Sequence, residues 1–99
     1  MYSIIDNCLV DSVEVTTYQD KKGNNRQQGR MLVREMIIDE SAYNATTTNY
    51  LVGFAPERLK ELEQYKGKSV SLSLKTRTVY LEEKKVKVTF YDLDTIELV

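Results

Sequence analysis

Ala55-Pro56-Glu57-Arg58-Leu59-Lys60-Glu61-Leu62-Glu63-Gln64-Tyr65-Lys66-Gly67 has a period unlike that of the rest of the chain. Pro56 suits the first turn of a helix, where the missing N–H has no partner to lose, and the acidic Glu57 follows on the favoured side of the helix dipole. Leu59 and Leu62, with Tyr65 one turn later, make a narrow apolar stripe, and Gly67 stands where a C-terminal stop belongs. The segment predicts a short amphipathic helix, suited to capping one end of a sheet rather than lying across it.

On both sides of that helix the pattern has period two. Residues 8–18 are rich in β-branched types and place Leu9, Val13 and Val15 on one face. A polar stretch, 19–29, carries the turn signal Gly23-Asn24 and leaves through Gly29. A second strand over 30–38 alternates imperfectly, since either face includes one charge, Arg34 or Glu35. A β-bulge or strong local twist in that strand would resolve the conflict. A polar connection over about 39–46 leads into a third strand near 47–54. After the helix, 68–81 alternates cleanly, with Val70, Leu72 and Leu74 on one side and Ser69, Ser71, Ser73, Lys75 and Arg77 on the other. Glu82-Glu83-Lys84-Lys85 lacks the Asn-Gly chemistry of a two-residue turn, so a loop of four residues or more is expected. The last strand, 86–98, sets Val86, Val88 and Phe90 inward and Lys85, Lys87, Thr89 and Tyr91 outward.

Ninety-nine residues suffice for one domain with a single core. No run of apolar residues approaches the length of a membrane span, and Met1-Tyr2-Ser3-Ile4-Ile5-Asp6 lacks the basic and long apolar regions of a signal peptide, so a cytoplasmic address is expected. Cys8 is the only cysteine and opens an apolar strand, which points to a buried, inert thiol. The chain has no histidine, which removes the commonest general base and metal ligand. No cofactor, metal set or acid–base pair can be named, and the residues argue against catalysis.

The charge is unevenly placed. The chain totals −1, yet Lys21, Lys22, Arg26, Arg30 and Arg34 stand against Asp20 alone between Tyr18 and Arg34. Lys66, Lys68, Lys75, Arg77, Lys84, Lys85 and Lys87 stand against only Glu82 and Glu83 in the segment 66–87. The rest is acidic, and an overall pI near 5.5 argues against coating of duplex DNA by charge alone. Two basic hairpins on an acidic body point to a polyanion groove that net charge conceals.

The element order β-β-β-α-β-β resembles the OB-fold over nearly the whole of 1–99, through strand length and helix position rather than a signature motif. That resemblance implies an all-β, five-stranded barrel binding oligonucleotides across strands two and three, between the first-to-second and fourth-to-fifth strand loops. Here those loops are 19–29 and 82–85, which belong to the two basic blocks. Small one-domain barrels with Tyr, Lys and Arg faces look like the single-stranded DNA-binding proteins of phages and plasmids. This implies a non-sequence-specific binder of single strands, DNA before RNA, in replication, recombination or repair, commonly a homodimer. One departure is the C-terminal stretch, where Asp92-Leu93-Asp94-Thr95-Ile96-Glu97-Leu98-Val99 alternates like a strand instead of forming a disordered acidic tail. Recruitment of partners through such a tail is therefore in doubt.

Within that frame Lys21, Lys22, Arg26, Arg30, Arg34, Lys75, Arg77, Lys84, Lys85 and Lys87 are candidates for phosphates. Tyr18, Tyr50, Tyr80 and Tyr91 are candidates for base stacking, and Tyr43 is placed to cover the groove. A plainer reading stands beside each. Lys at an exposed hairpin protects a sheet edge, Tyr fits any half-buried pleated surface, and Arg34 has Glu35 beside it. The competing functional class is a structural or protein-interaction module of a phage or mobile-element assembly. There the tyrosines anchor an interface and the acidic 35–65 region meets a basic patch on a neighbour.

Overall fold

β-branched residues at alternate positions favour strands wherever one face can be buried. The computed structural model, which describes residues 1–99, has five: β1 (Tyr2–Gln19), β2 (Asn25–Asp39), β3 (Asn44–Phe54), β4 (Ser69–Leu81) and β5 (Val86–Leu98). They close into a barrel in the order β1-β2-β3-β5-β4, antiparallel except where β3 meets β5. Between β3 and β4 lies the expected helix, shortened to a 3-10 turn (Pro56–Arg58) and a five-residue α1 (Leu59–Glu63). Gly67, at φ +78°, turns the chain back, and its N–H donates to the Val10 carbonyl at 2.8 Å. The fully buried Leu62 plugs the barrel end, with Leu59 and Tyr65 packed beside it.

Val70, Leu72 and Leu74 point into the core as their alternation requires. Two other strands differ from the simple pattern because of one-residue bulges. In β1 the register against β2 shifts between Val10 and Ser12, so Asp11 is the extra residue. Cys8 and Val10 therefore share the inner side with Val13 and Val15, and Leu9, expected on that face, does not. The bulge expected in the second strand thus lies in the first, while β2 runs in unbroken register against β3 from Gly29–Phe54 to Asp39–Asn44. The conflict between Arg34 and Glu35 has a different resolution: past Arg34, the last β2 residue paired with β1, the β2–β3 pair leaves the barrel. In β5 the register shifts beside Asp94, so Leu93 is buried while Tyr91 and Ile96 pack against the core. Val86 and Phe90, expected inward, are 44% and 39% exposed.

The loops are shorter than their polarity suggests. Residues 25–28 continue as strand, leaving Asp20–Asn24 as the β1–β2 turn. The 39–46 connection reduces to a 3-10 turn at Glu40–Ala42 and Tyr43 in the left-handed region, φ +49°. The β4–β5 turn has the expected four residues, Glu82 to Lys85. Three hairpins project as a result, and the radius of gyration is 15.5 Å, against about 13 Å for a compact chain of this length. No helix is long and apolar enough to cross a membrane.

Candidate nucleic-acid interface

Because β2 sends Gly29, Met31 and Val33 inward, it must send Gln28, Arg30, Leu32 and Arg34 outward. Their cross-strand neighbours extend this outer face. On β3, Gly53 lies opposite Arg30, Leu51 opposite Leu32 and Asn49 opposite Arg34. On β1, Tyr18 lies opposite Arg26 and Glu14 opposite Arg30. The β4–β5 hairpin stands alongside. Between them runs a groove of about 300 Å³, with Gln28, Arg30, Leu51 and Gly53 on one wall and Arg77, Phe90 and Asp92 on the other. Leu51 is 48% exposed, so the groove offers apolar surface between guanidinium groups.

Three of those arginines have carboxylate partners. Arg77 donates from Nε to Asp92 at 3.2 Å, and its guanidinium lies 4.8 Å from the centre of the Phe90 ring. Arg34 donates to Asp11 at 3.2 Å, and Arg26 to Asp20 at 3.1 Å. Exposed pairs of this kind contribute about 0–1 kcal/mol, so an incoming phosphate can take the carboxylate's place. Arg30 is in no ion pair. Asp20 also accepts the backbone N–H groups of Lys22 and Asn24, both at 2.9 Å. Asn24 first, then Arg26, holds the Asp20 carboxyl below its ordinary range. At Gly53 a Cβ would stand 3.0 Å from the Asp92 carboxylate, so the missing side chain leaves Asp92 room to hold Arg77.

No protein-family model matches the sequence, and no curated protein matches it. Solved structures do match in fold. A small single-stranded DNA binding protein from Mycoplasma pneumoniae aligns with TM-score 0.50 and 16% identity over 94% of this chain and 92% of its own. A Plasmodium falciparum SSB in complex with ssDNA aligns with TM-score 0.50 and 15% identity, over 99% of this chain and 91% of its own. The barrel is an OB-fold. With strand order, closure and helix position all in agreement, the groove lies where an OB-fold binds oligonucleotides, on strands two and three.

Of the residues singled out in the sequence, the OB barrel gathers Tyr18, Arg26, Arg30 and Arg34 on the outer face, with Arg77 across the groove. Lys75 pairs with Asp92 in the β4–β5 register, at the edge of the groove wall. Lys21, Tyr80 and Lys84 line a second cavity, about 320 Å³, where the turns of the two basic hairpins meet. Lys22 and Lys85 are exposed on the same turns, and Lys87 lies opposite Tyr80. Tyr50 belongs to the other side of the sheet, while Tyr91 lines the groove between Phe90 and Asp92 as well as reaching Tyr50 behind it. Their rings meet edge to face at 5.4 Å and pack against the core. Burial first, then Glu35, raises the Tyr50 phenol. Tyr43 lies at the tip of the β2–β3 hairpin, exposed, and covers no part of the groove.

Phe90 was missed by the sequence reading, and no sequence signal could have found it. Its side of β5 depends on the bulge at Asp94. Cys8 is buried and donates to the Val70 carbonyl. Desolvation first, then Glu35, pushes its thiol up to about 11, far from nucleophilic.

Proposed function

We propose that residues 1–99 form one OB domain that binds single-stranded nucleic acid, DNA before RNA, without sequence preference. The strand lies along the outer face of β2 and β3, beside the β4–β5 hairpin. The observation that carries this reading is the groove itself, which sets Phe90 and Leu51 between Arg30 and Arg77. Unpaired bases need flat apolar surface, phosphates need fixed cations, and the groove presents both at once. That two proteins of the same fold are named as single-stranded DNA binders, one of them in complex with ssDNA, supports it. Arg26 and Arg34 exchange their carboxylates for phosphates, Tyr18 offers a stacking face beside Arg26, and Lys75 and Lys87 extend the path along the hairpin. Lys21, Lys22, Lys84 and Lys85 draw the polyanion in at the turns, Tyr91 contributes to the groove wall, and Tyr50 braces it from behind.

The setting that fits is replication, recombination or repair of phage or plasmid DNA in the cytoplasm of a host cell. A homodimer fits too. Residues 2–5 of β1 pair with β4 alone, so their other edge is open, and Tyr2 and Ile4 there are 63% and 72% exposed. Pairing that edge with a second copy would put two grooves on one particle and raise avidity.

Fluorescence anisotropy of labelled oligo-dT across a salt series tests the reading. The logarithm of the affinity should fall linearly with that of salt, by about 0.7 per phosphate neutralised, and Arg30→Ala should reduce the slope by about one such contact. No binding at low salt, or affinity indifferent to salt, would refute it.

A further inference from the structure

The molecule has two unlike ends. β2 runs from one to the other, and its 15 residues at about 3.3 Å each account for most of the 52 Å long dimension. At one end the β2–β3 hairpin projects with Met36, Ile37 and Ile38 more than half exposed and Tyr43 99% exposed at the tip. Its charges from 35 to 49 are Glu35, Asp39 and Glu40, with no Lys or Arg. Asp39 is occupied in shaping the tip, where it accepts from the Ser41 and Ala42 N–H groups, while Glu40 is free. At the other end the β4–β5 hairpin and Lys21 of the β1–β2 turn border an open pocket of about 320 Å³ lined by Lys21, Tyr80, Leu81, Glu82, Glu83 and Lys84.

An isolated two-stranded hairpin is marginal in water, and one carrying apolar side chains on both faces gains most from a partner. The chemistry of that partner follows from the charges. An acidic arm tipped by a phenol needs an apolar pocket with ammonium groups at its rim. Pairing two arms with each other would bring like charges together. The opposite end of the same chain supplies what is needed: Tyr80 and Leu81 form the apolar part of the cavity, Lys21 and Lys84 line it beside Glu82 and Glu83, and with Lys22 and Lys85 the two turns carry four lysines against Asp20, Glu82 and Glu83.

We propose that the occupant is a second copy of this chain: Tyr43 of one copy enters the Lys21–Tyr80–Leu81–Lys84 pocket of the next, with Glu40 against the rim lysines. The contact is heterologous and leaves each copy one free end, so assembly is open and runs head to tail along the long axis. It leaves the groove of Arg30, Leu51 and Phe90 uncovered and does not depend on nucleic acid.

Sedimentation velocity of the protein alone, without nucleic acid, tests this separately from the binding reading. At low salt the mean mass should rise with concentration without a plateau, and added salt should lower it. Tyr43→Asn puts a residue that tolerates φ +49° at a fully exposed position, so the fold is kept while open assembly is lost. A Lys21→Glu/Lys84→Glu variant should lose it as well. Mixed together, these two variants have one intact knob and one intact pocket between them, and should associate with each other where neither associates by this contact alone. A mass plateau at two copies that Tyr43→Asn leaves unchanged would overturn the proposal in favour of pairing through β1. So would a monomer at every concentration, a mass indifferent to salt, or a mixture that fails to associate.

Discussion

Phe90 and Tyr50 stand on opposite sides of one sheet and carry different loads. Phe90 lies in the groove with the Arg77 guanidinium over its ring, a position that a nucleobase can take once Arg77 turns to a phosphate. Loss of a stacking platform costs about 1–3 kcal/mol per base, so Phe90→Ala should weaken oligo-dT binding roughly 5- to 150-fold. Its salt slope should stay that of the parent, because no charge is removed. Tyr50 instead meets Tyr91 edge to face against the core. Such a pair contributes about 0.5–1.5 kcal/mol beyond buried area, so Tyr50→Ala should lower the melting temperature more than the affinity. Anisotropy and thermal melts on the two variants check this together. If Tyr50→Ala lost the affinity and Phe90→Ala the stability, the binding face would lie on the other side of the sheet.

Among the elements, β2 does most to position the site, and its entry into the barrel depends on Gly29. In the sequence Gly29 reads as the exit from a loop. In the structure it is a strand residue opposite Phe54, and a Cβ there would overlap the Phe54 ring and press on its backbone carbonyl. A rotamer change can displace the ring, but the carbonyl belongs to the β2–β3 ladder and cannot yield without breaking register. Gly29→Ala should therefore destabilise by about 1–3 kcal/mol, the usual range for overpacking. Urea unfolding reads this as a lower midpoint with the slope preserved, and an unchanged midpoint would show that β2 tolerates a shift there. The elements fixed by local chemistry were legible from sequence: the Pro56-to-Gly67 helix, the alternation of β4 and the charged four-residue turn. The inward faces of β1 and β5 were not, because single-residue bulges at Asp11 and Asp94 reverse the alternation and are set by barrel closure. Residues 25–28 and 44–46 read as loop for a related reason. They pair in hairpins that project into solvent, where alternation has nothing to bury.

At the scale of the molecule, charge decides how the fold responds to acid. Three carboxyls in three separate parts of the structure lie below their ordinary range: Asp20 in the β1–β2 turn, Asp39 in the β2–β3 turn and Glu61 beside the helix. The first causes are the Asn24 N–H, the Ser41 side chain and the Arg58 side chain respectively. A carboxyl favoured in its ionised form by the fold adds stability above its unfolded value, about pH 4, and that stability disappears as pH falls through the lower folded value. With no histidine to titrate, the melting temperature should be nearly level between about pH 5 and 7. It should then drop below about pH 4, where neutralised acids also leave the 14 Lys and Arg to repel one another. The Asp20→Asn/Asp39→Asn variant removes two of the three linked groups. It should melt lower than the parent at pH 7 but lose less on acidification, so that the two curves converge. Melts at half-unit pH steps measure this directly, and parallel curves would show that the turn carboxylates do not govern the acid response.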